Sequence, residues 1–170
     1  MNSDELDYQQ MNGLDLAYLG DAVYEIYVRQ HLLAMGLTKP QQLQRQSKQY
    51  VSAKAHAALF ALMEAEDYLT PEEMTYFKRG RNANSHTKAK NTDVVSYRIS
   101  TGFEALVGYL YASHQIERLE ELVTWVFKQV EDGKTKANGT TKNNKQKGRQ
   151  NRPKIRIVPS KLSAHKRLKR

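Results

Sequence analysis

The 170-residue sequence predicts an all-α fold. Apolar residues recur at intervals of three and four along several stretches, helix-capping residues precede those stretches, and no segment shows a convincing strand-like alternation of apolar and polar residues. No repeat of 20–50 residues is visible, so a repeat architecture is not expected. The pattern predicts one folded domain, residues 1–132, followed by a basic tail, residues 133–170.

Charge is distributed unevenly between these two parts. Residues 1–132 hold 13 Lys and Arg against 18 Asp and Glu, whereas residues 133–170 hold 14 Lys and Arg and no acid. The tail is rich in Lys, Arg, Asn, Gln and Thr, and we expect it to be disordered when free. Such an arm indicates nucleic acid or another polyanion as a partner. A merely solubilising tail is the alternative.

Composition also excludes some classes of protein. The chain has no cysteine, so a disulfide framework and a cysteine-based zinc site are excluded. No apolar run approaches the ~20 residues that span a bilayer, and the first residues, MNSDELDYQQ, lack a hydrophobic signal core. We therefore expect a cytoplasmic protein without a membrane partner.

The first predicted helix covers residues 13–34. Gly20 interrupts it at a cost of ~1 kcal/mol relative to alanine, which is plausible where another backbone comes close. Gly36 fits a C-terminal stop. The apolar positions that recur at helical spacing are Leu16, Leu19, Val23, Ile26 and Tyr27.

Three shorter helices are expected next. Pro40 lies in the first turn of a polar helix that reaches about Lys48, and Ser52 can cap the helix after it. The capping box Thr70-Pro71-Glu72-Glu73 begins a fourth helix, which ends near Arg81. The predicted buried stripe of the third helix is Ala55, His56, Leu59, Phe60 and Met63. A packed core histidine is the favoured interpretation of His56, over a metal ligand.

Two longer helices complete the body. Asp93 can cap a fifth helix that reaches Ala112, and a sixth covers about residues 116–131. The predicted apolar faces are Val95, Ile99, Phe103, Leu106 and Leu110 on the fifth helix, and Ile116, Leu119, Val123, Val126, Phe127 and Val130 on the sixth. Trp125 falls off the latter stripe and is expected at the surface or at a partner contact.

Two carboxylates interrupt these apolar faces. Asp21 lies mid-way along the first helix and Glu104 mid-way along the fifth, each with a glycine nearby. An ionised carboxylate on an apolar ridge costs free energy unless it is paired or binds a metal. If the two ridges face each other, the acids form a small site whose oxygens suit Mg²⁺ or Mn²⁺. Solvated or salt-bridged acids in an ordinary helical bundle are the alternative.

Basic residues continue from the end of the fourth helix into the polar stretch 81–91. Arg79 and Arg81 suit the negative end of the helix dipole, which is the purely structural interpretation. Lys88 and Lys90 extend the basic character into a loop. All four residues are therefore candidate phosphate contacts.

The segments around the two acids resemble the motifs of the ribonuclease III family. LAYLGDAV (residues 16–23) resembles the family signature LEFLGDAV, and TGFEALVG (101–108) resembles the second acidic motif DVFEALIG. NGLDLAYLGD (12–21), VSAK (51–54), KRGRNA (78–83), KNTD (90–93) and the segment 100–108 resemble the Mini-ribonuclease III branch, which lacks a double-stranded RNA-binding domain. The resemblance covers about residues 8–130.

The resemblance implies an all-helical, homodimeric endonuclease that cuts double-stranded RNA with Mg²⁺, for which Mn²⁺ can substitute. Its substrate would be the precursor of the large-subunit (23S) ribosomal RNA, and a ribosomal protein is a further candidate partner. Asp21 and Glu104 match the acids of the two motifs and would be catalytic metal-site residues. Tyr18 falls where the wider family carries a phenylalanine that plugs the partner subunit, which implies a place at the dimer interface.

Two departures from the general family leave other functions open. Ala17 and Thr101 stand where most relatives carry a third and a fourth acid. They favour a non-catalytic helical RNA-binding or ribosome-assembly protein with a degenerate site, although the short branch is similarly reduced and cleavage remains favoured. The Thr101 hydroxyl is a candidate for orienting a metal-bound water, but a helix-packing threonine is the favoured interpretation. A helical module whose tail contacts acidic proteins is the third hypothesis.

Overall fold

A computed structural model of the protein describes residues 6–84 and 93–136. These residues form six helices and no strand, which confirms the predicted all-α class for this part of the chain. The helices are α1 (Gly13–Ala34), α2 (Pro40–Val51), α3 (Ala53–Ala65), α4 (Pro71–Arg81), α5 (Val94–Ala112) and α6 (Ile116–Glu131).

All six helices belong to the first of two units into which the chain divides, Met1–Gly139. The second unit, Thr140–Arg170, lies outside the described residues, and so does the prediction of a disordered tail. The domain boundary at residue 132 stays a prediction. Over the ranges 6–84 and 93–136, none of the helices is long and apolar enough to cross a membrane.

Side-chain caps set several helix ends. The Asn12 side chain accepts hydrogen bonds from the amides of Leu14 and Asp15 at the start of α1. At α4, Thr70 and Glu73 each accept a hydrogen bond from the other's backbone amide, so the predicted capping box is confirmed. The predicted caps Ser52 and Asp93 begin α3 and α5. Gly36, with φ +80°, lies just beyond the end of α1, as predicted.

Helix α5 lies at the centre of the fold, where it packs against α1, α3, α4 and α6. Every residue from Ser100 to Leu110 is buried except Glu104, which is partly exposed. Within this run, Glu104 is thus the one residue that solvent reaches, and it is also the only carboxylate of α5. The predicted buried stripe of α3 is confirmed at all five positions.

Three of the predicted core positions are wrong. Ile26, Val95 and Ile116 are 56%, 67% and 37% exposed. Ile26 lies beyond the arc of α1 that is buried, whereas Val95 and Ile116 lie in the first turns of α5 and α6. Regular spacing alone predicts neither the width nor the length of the packed surface. Trp125 contacts this chain itself: its Nε1–H donates to Glu66 (3.2 Å) and its ring stacks on Tyr68 (4.6 Å between centroids).

Helices α1 and α5 approach each other to backbone contact at two glycines. A methyl group on Gly20 would overlap the carbonyl oxygen of Glu104 and lie 2.6 Å from the amide nitrogen of Gly108. A methyl group on Gly108 would overlap the carbonyl oxygen of Leu16. The prediction that these glycines permit close packing is confirmed. The contact sets Asp21 of α1 beside Glu104 of α5.

Candidate active site

The two carboxylates singled out in the sequence come together at the crossing of α1 and α5. Gly20, the neighbour of Asp21 in the chain, packs directly on the backbone of Glu104. The carboxylates are close enough for the charge of Asp21 to act on the ionisation of Glu104. The predicted facing of the two acidic ridges is therefore what the structure shows.

Glu104 lies in the wall of the core. Its side chain is 22% exposed, and its Oε1 accepts a hydrogen bond from the Ser100 hydroxyl (3.1 Å). Burial raises the pKa of the Glu104 carboxyl to about 7, and the charge of Asp21 contributes in the same direction. The hydrogen bond from Ser100 partly offsets both effects. Glu104 therefore holds its negative charge near neutral pH at a cost in free energy.

Asp21 lies on the exposed side of α1. Loss of solvation raises the pKa of its carboxyl above the ordinary value, and the charge of Glu25, one turn further along α1, raises the same pKa. Neither Asp21 nor Glu104 forms an ion pair with a Lys or Arg in the described ranges. The site is thus a pair of acids without a basic partner from this part of the chain.

This donor set fits a hard divalent cation. Mg²⁺ typically takes one or two protein carboxylates, keeps several waters and binds substrate phosphates, and it prefers oxygen ligands. A cation between the two carboxylates would offset the repulsion by which the charge of Asp21 raises the pKa of Glu104. The described residues contain no group of three or more His, Asp or Glu arranged to hold a metal. Water and substrate oxygens would therefore complete the coordination.

His56 of α3 lies behind Glu104. Its Nδ1 lies 2.8 Å from the Ser100 hydroxyl and 3.9 Å from Glu104 Oε1. Burial lowers the pKa of His56 to about 3, so the imidazole is neutral at physiological pH. The predicted core histidine is confirmed, because its side chain is 1% exposed. Its hydrogen bond to Ser100 was not predicted, although Ser100 lies one turn before Glu104 on the same helix face.

Thr101 performs a structural task. Its hydroxyl donates to the carbonyl oxygen of Tyr97 (3.1 Å), and the residue is 8% exposed. The helix backbone thus already uses the hydroxyl proton, which supports the packing interpretation of this residue.

The candidate phosphate contacts lie in different surroundings. The Arg79 guanidinium donates to the carbonyl oxygens of Gln9 (3.1 Å) and Met11 (3.2 Å) and lies over the Tyr76 ring, so it fastens the segment before α1 to α4. Arg81 is partly exposed and its Nε donates to Asn82 (3.2 Å). The predictions for Lys88 and Lys90 lie outside the described residues.

An apolar stripe runs along α1 beside Asp21. Tyr18 is 86% exposed, and the stripe continues along the helix through other exposed apolar side chains. Helical geometry places these residues on one side of α1, next to Asp21 and Glu25. The further members of the stripe are Leu14, Ala22, Ile26 and Leu33.

Comparison with known proteins points to one family. A family model for the ribonuclease III domain matches residues 14–115. The chain is 58% identical over 124 residues to the Mini-ribonuclease 3 of Enterococcus faecalis, which covers 73% of this chain and 94% of that protein. It is 56% identical over 126 residues to the Mini-ribonuclease 3 of Streptococcus pneumoniae, covering 74% and 98%.

A solved structure shares the fold. The crystal structure of a Fusobacterium nucleatum protein superposes with a TM-score of 0.65 at 29% sequence identity. The similarity covers 73% of this chain and 99% of that one. The helical body, rather than the whole chain, therefore accounts for the likeness.

Proposed function

The chain belongs to the Mini-ribonuclease 3 family and is an endoribonuclease of the ribonuclease III type, and we propose that it cleaves double-stranded RNA with Mg²⁺ held by Asp21 and Glu104. One observation carries the proposal: two carboxylates 83 residues apart in the sequence lie where the backbones of α1 and α5 touch, and one raises the proton affinity of the other. No arginine or lysine of the described ranges neutralises them. A divalent cation would supply the missing charge.

Asp21 and Glu104 would contribute to cation binding in different ways. Glu104 is partly buried between buried neighbours on α5 and accepts a hydrogen bond from Ser100, so it would offer an oxygen in a defined position. Asp21 lies at the surface, where a phosphodiester can approach. A bound Mg²⁺ would lower the pKa of a coordinated water and stabilise negative charge on the phosphodiester during in-line displacement. Mn²⁺ is expected to substitute because it takes the same oxygen ligands.

We further propose that the active form is a homodimer that uses the α1 stripe as its interface. Exposed contiguous apolar side chains mark interaction surfaces, and Tyr18 is the most exposed large apolar residue in this stripe. A twofold axis through the stripe would bring two copies of Asp21 near each other, one for each RNA strand. Tyr18 would then lie at the interface, as the family resemblance implies.

Recognition of the duplex is proposed to rest on phosphate and 2′-hydroxyl contacts, because side chains do not read the narrow major groove of A-form RNA. Arg81, Lys88 and Lys90 are the candidate contacts, with the basic tail as an additional arm whose contribution falls with salt. Arg79 also stays a candidate, although its guanidinium already bonds two carbonyls of this chain.

The proposed natural substrate is the precursor of the large-subunit (23S) ribosomal RNA, with a ribosomal protein as a candidate helper. Both follow from the family resemblance of the motifs around Asp21 and Glu104. Cytoplasmic location likewise stays a prediction from the sequence.

The test is cleavage of a duplex RNA by Asp21→Asn, which keeps the side-chain shape but removes the charge. We expect the variant to fold normally and to lose about 100-fold or more of its Mg²⁺-dependent rate, because a metal ligand supplies several kcal/mol of transition-state stabilisation. Asp15→Asn is the matched control, since Asp15 is an exposed acid on the same helix. Cleavage by Asp21→Asn at the parent rate would refute the proposed role.

The same assay distinguishes a nuclease from the alternative function. A non-catalytic RNA-binding or ribosome-assembly protein, suggested by Ala17 and Thr101, would bind the duplex and leave it intact with Mg²⁺ and with EDTA alike. A nuclease cuts with Mg²⁺ and stops with EDTA.

A further inference from the structure

A chain of three hydrogen-bonding side chains leads from the core to the candidate metal site. His56 Nδ1 lies 2.8 Å from Ser100 Oγ, and Ser100 Oγ lies 3.1 Å from Glu104 Oε1. The three residues come from α3 and from two successive turns of α5. This series of hydrogen bonds therefore links the buried imidazole of His56 to the partly exposed carboxylate of Glu104.

The hydrogen-bond directions in this chain are determined by the serine. A hydroxyl has one proton, and an ionised Glu104, the form that would bind a cation, can only accept. Ser100 must therefore donate to Glu104, which leaves its oxygen lone pairs for His56 Nδ1–H. The imidazole is then in its Nδ1–H tautomer and orients the hydroxyl toward the carboxylate. Its other nitrogen, Nε2, becomes a buried acceptor, and it has no hydrogen-bond partner among the described residues.

The surroundings of His56 would suit an apolar side chain better. Its ring packs edge-on to Tyr24 (5.5 Å between centroids) and lies beside Phe103 (4.4 Å), with 1% of its side chain exposed. A leucine or phenylalanine there would leave no unpaired nitrogen. A buried polar atom without a partner is unfavourable, so the histidine requires an explanation other than packing. The polar groups that face its ring are the Ser100 hydroxyl and the Glu104 carboxylate on the Nδ1 side, and the backbone of Tyr50.

We propose that His56 and Ser100 are positioning residues that hold the Glu104 carboxylate in the orientation required for the divalent cation. The inference rests on the proposed function, in which Glu104 is a ligand. A glutamate side chain has three rotatable bonds, and freezing them before the cation arrives removes an entropic cost from binding. Groups that hydrogen-bond a ligand from behind typically change metal affinity or activity by 10–100-fold.

The direct test measures Mn²⁺ binding to the full chain without RNA, by calorimetry and by the electron paramagnetic resonance of free Mn²⁺. Ser100→Ala and His56→Leu are each expected to weaken binding about tenfold or more. His56→Asn, whose amide N–H replaces Nδ1–H, is expected to retain most of the affinity. Ser113→Ala is the matched control, because the Ser113 hydroxyl, just after α5, bonds backbone carbonyls instead of a carboxylate.

A second readout separates positioning from structural damage. The apparent Mg²⁺ half-saturation of cleavage is expected to rise about tenfold in Ser100→Ala, with kcat at saturating Mg²⁺ near that of the parent. Thermal unfolding of the metal-free His56→Leu protein is expected to be no easier than that of the parent. Parent-like Mn²⁺ affinity in Ser100→Ala would overturn the inference, whatever happens to stability.

Glu104→Gln distinguishes failure of this inference from failure of the proposed function. If Glu104→Gln loses Mn²⁺ binding while Ser100→Ala keeps it, the positioning role is wrong and the metal site stands. If Glu104→Gln binds Mn²⁺ as the parent does, both ideas are wrong. Loss in both variants, with Ser113→Ala unaffected, supports the inference.

Discussion

Glu104 is the residue in which burial and function conflict most directly. Its neighbours from Ser100 to Leu110 are all buried, and its own carboxyl has a pKa of about 7 instead of the ordinary 4.5. The protonated form is therefore favoured in the metal-free protein below about pH 7. A cation that replaces the proton would relieve the repulsion from Asp21 that contributes to this shift.

The pH dependence of stability follows from this shift. Between pH 4.5 and about 7 the native state binds the Glu104 proton and the unfolded state does not, so unfolding becomes easier as pH rises. We expect the metal-free protein to lose on the order of 1–3 kcal/mol from this residue over that interval. The loss is measured by urea unfolding in EDTA at a series of pH values.

Glu104→Gln is the control for that series, because glutamine does not titrate. His56 has the opposite effect, since its lowered pKa makes stability fall as pH drops below 6.5, and the difference between parent and variant removes this contribution. Mg²⁺ is expected to restore parent stability at pH 8 but to do little at pH 5, where protons occupy the site. A parent and variant with the same pH profile would contradict the raised pKa.

At the scale of elements, the crossing of α1 and α5 is what creates the site. Gly20→Ala is expected to destabilise the protein by about 1–3 kcal/mol, because the added methyl group overlaps the Glu104 carbonyl and must push the helices apart. The gain in helix propensity of ~1 kcal/mol does not offset this overlap. Cleavage should also fall, because the shift separates the two acids. Urea midpoints and duplex cleavage rates measure both effects.

Gln30→Ala serves as the control for helix propensity, since Gln30 is exposed on the same helix. Its stability is expected to stay within about 0.5 kcal/mol of the parent. A Gly20→Ala protein as stable as Gln30→Ala would show that a methyl group fits between the backbones of α1 and α5, which would contradict the prediction.

Local sequence signals predicted the elements well. The caps Ser52, Thr70 and Asp93 act over three or four residues, so they can be recognised without knowledge of the fold. Glycines such as Gly20 indicated close packing but not the partner helix. The exposure of Ile26 was not predicted, because the width of a buried arc depends on which helices pack around it.

The site was predictable only in part for the same reason. Asp21 and Glu104 each stood out locally as a charge on an apolar face, whereas their meeting depends on tertiary packing. The bond between His56 and Ser100 joins residues 44 apart in sequence, and neither residue type by itself signals it. Arg79 appears as one more basic residue in the sequence, and only the structure reveals its bonds to the segment before α1.

At the scale of the whole molecule, the exposed stripe on α1 is the proposed dimer interface. Tyr18→Glu is expected to convert the proposed dimer to monomer, because it introduces a charge into the centre of an apolar contact. Sedimentation velocity measures the change in mass. Val95→Glu is the control, since Val95 is 67% exposed on a different helix. A Tyr18→Glu protein with unchanged mass would exclude this face as the interface.

Length separates this chain from the Enterococcus faecalis protein. The 124 residues that match the Enterococcus faecalis protein make up 94% of that protein but 73% of this chain. The excess is of the size of the basic segment 133–170, which holds 14 Lys and Arg and no acid. We therefore expect this enzyme to bind polyanions with a steeper salt dependence than a relative that lacks such a segment.

The most direct measurement of the central claim is a crystal structure of the protein soaked in Mn²⁺, with data collected at the manganese absorption edge. The account predicts an anomalous peak between the carboxylates of Asp21 and Glu104, at about 2.0–2.3 Å from an oxygen of each. An empty space between the two side chains at saturating Mn²⁺, or a peak that persists unchanged in Glu104→Gln, would contradict it.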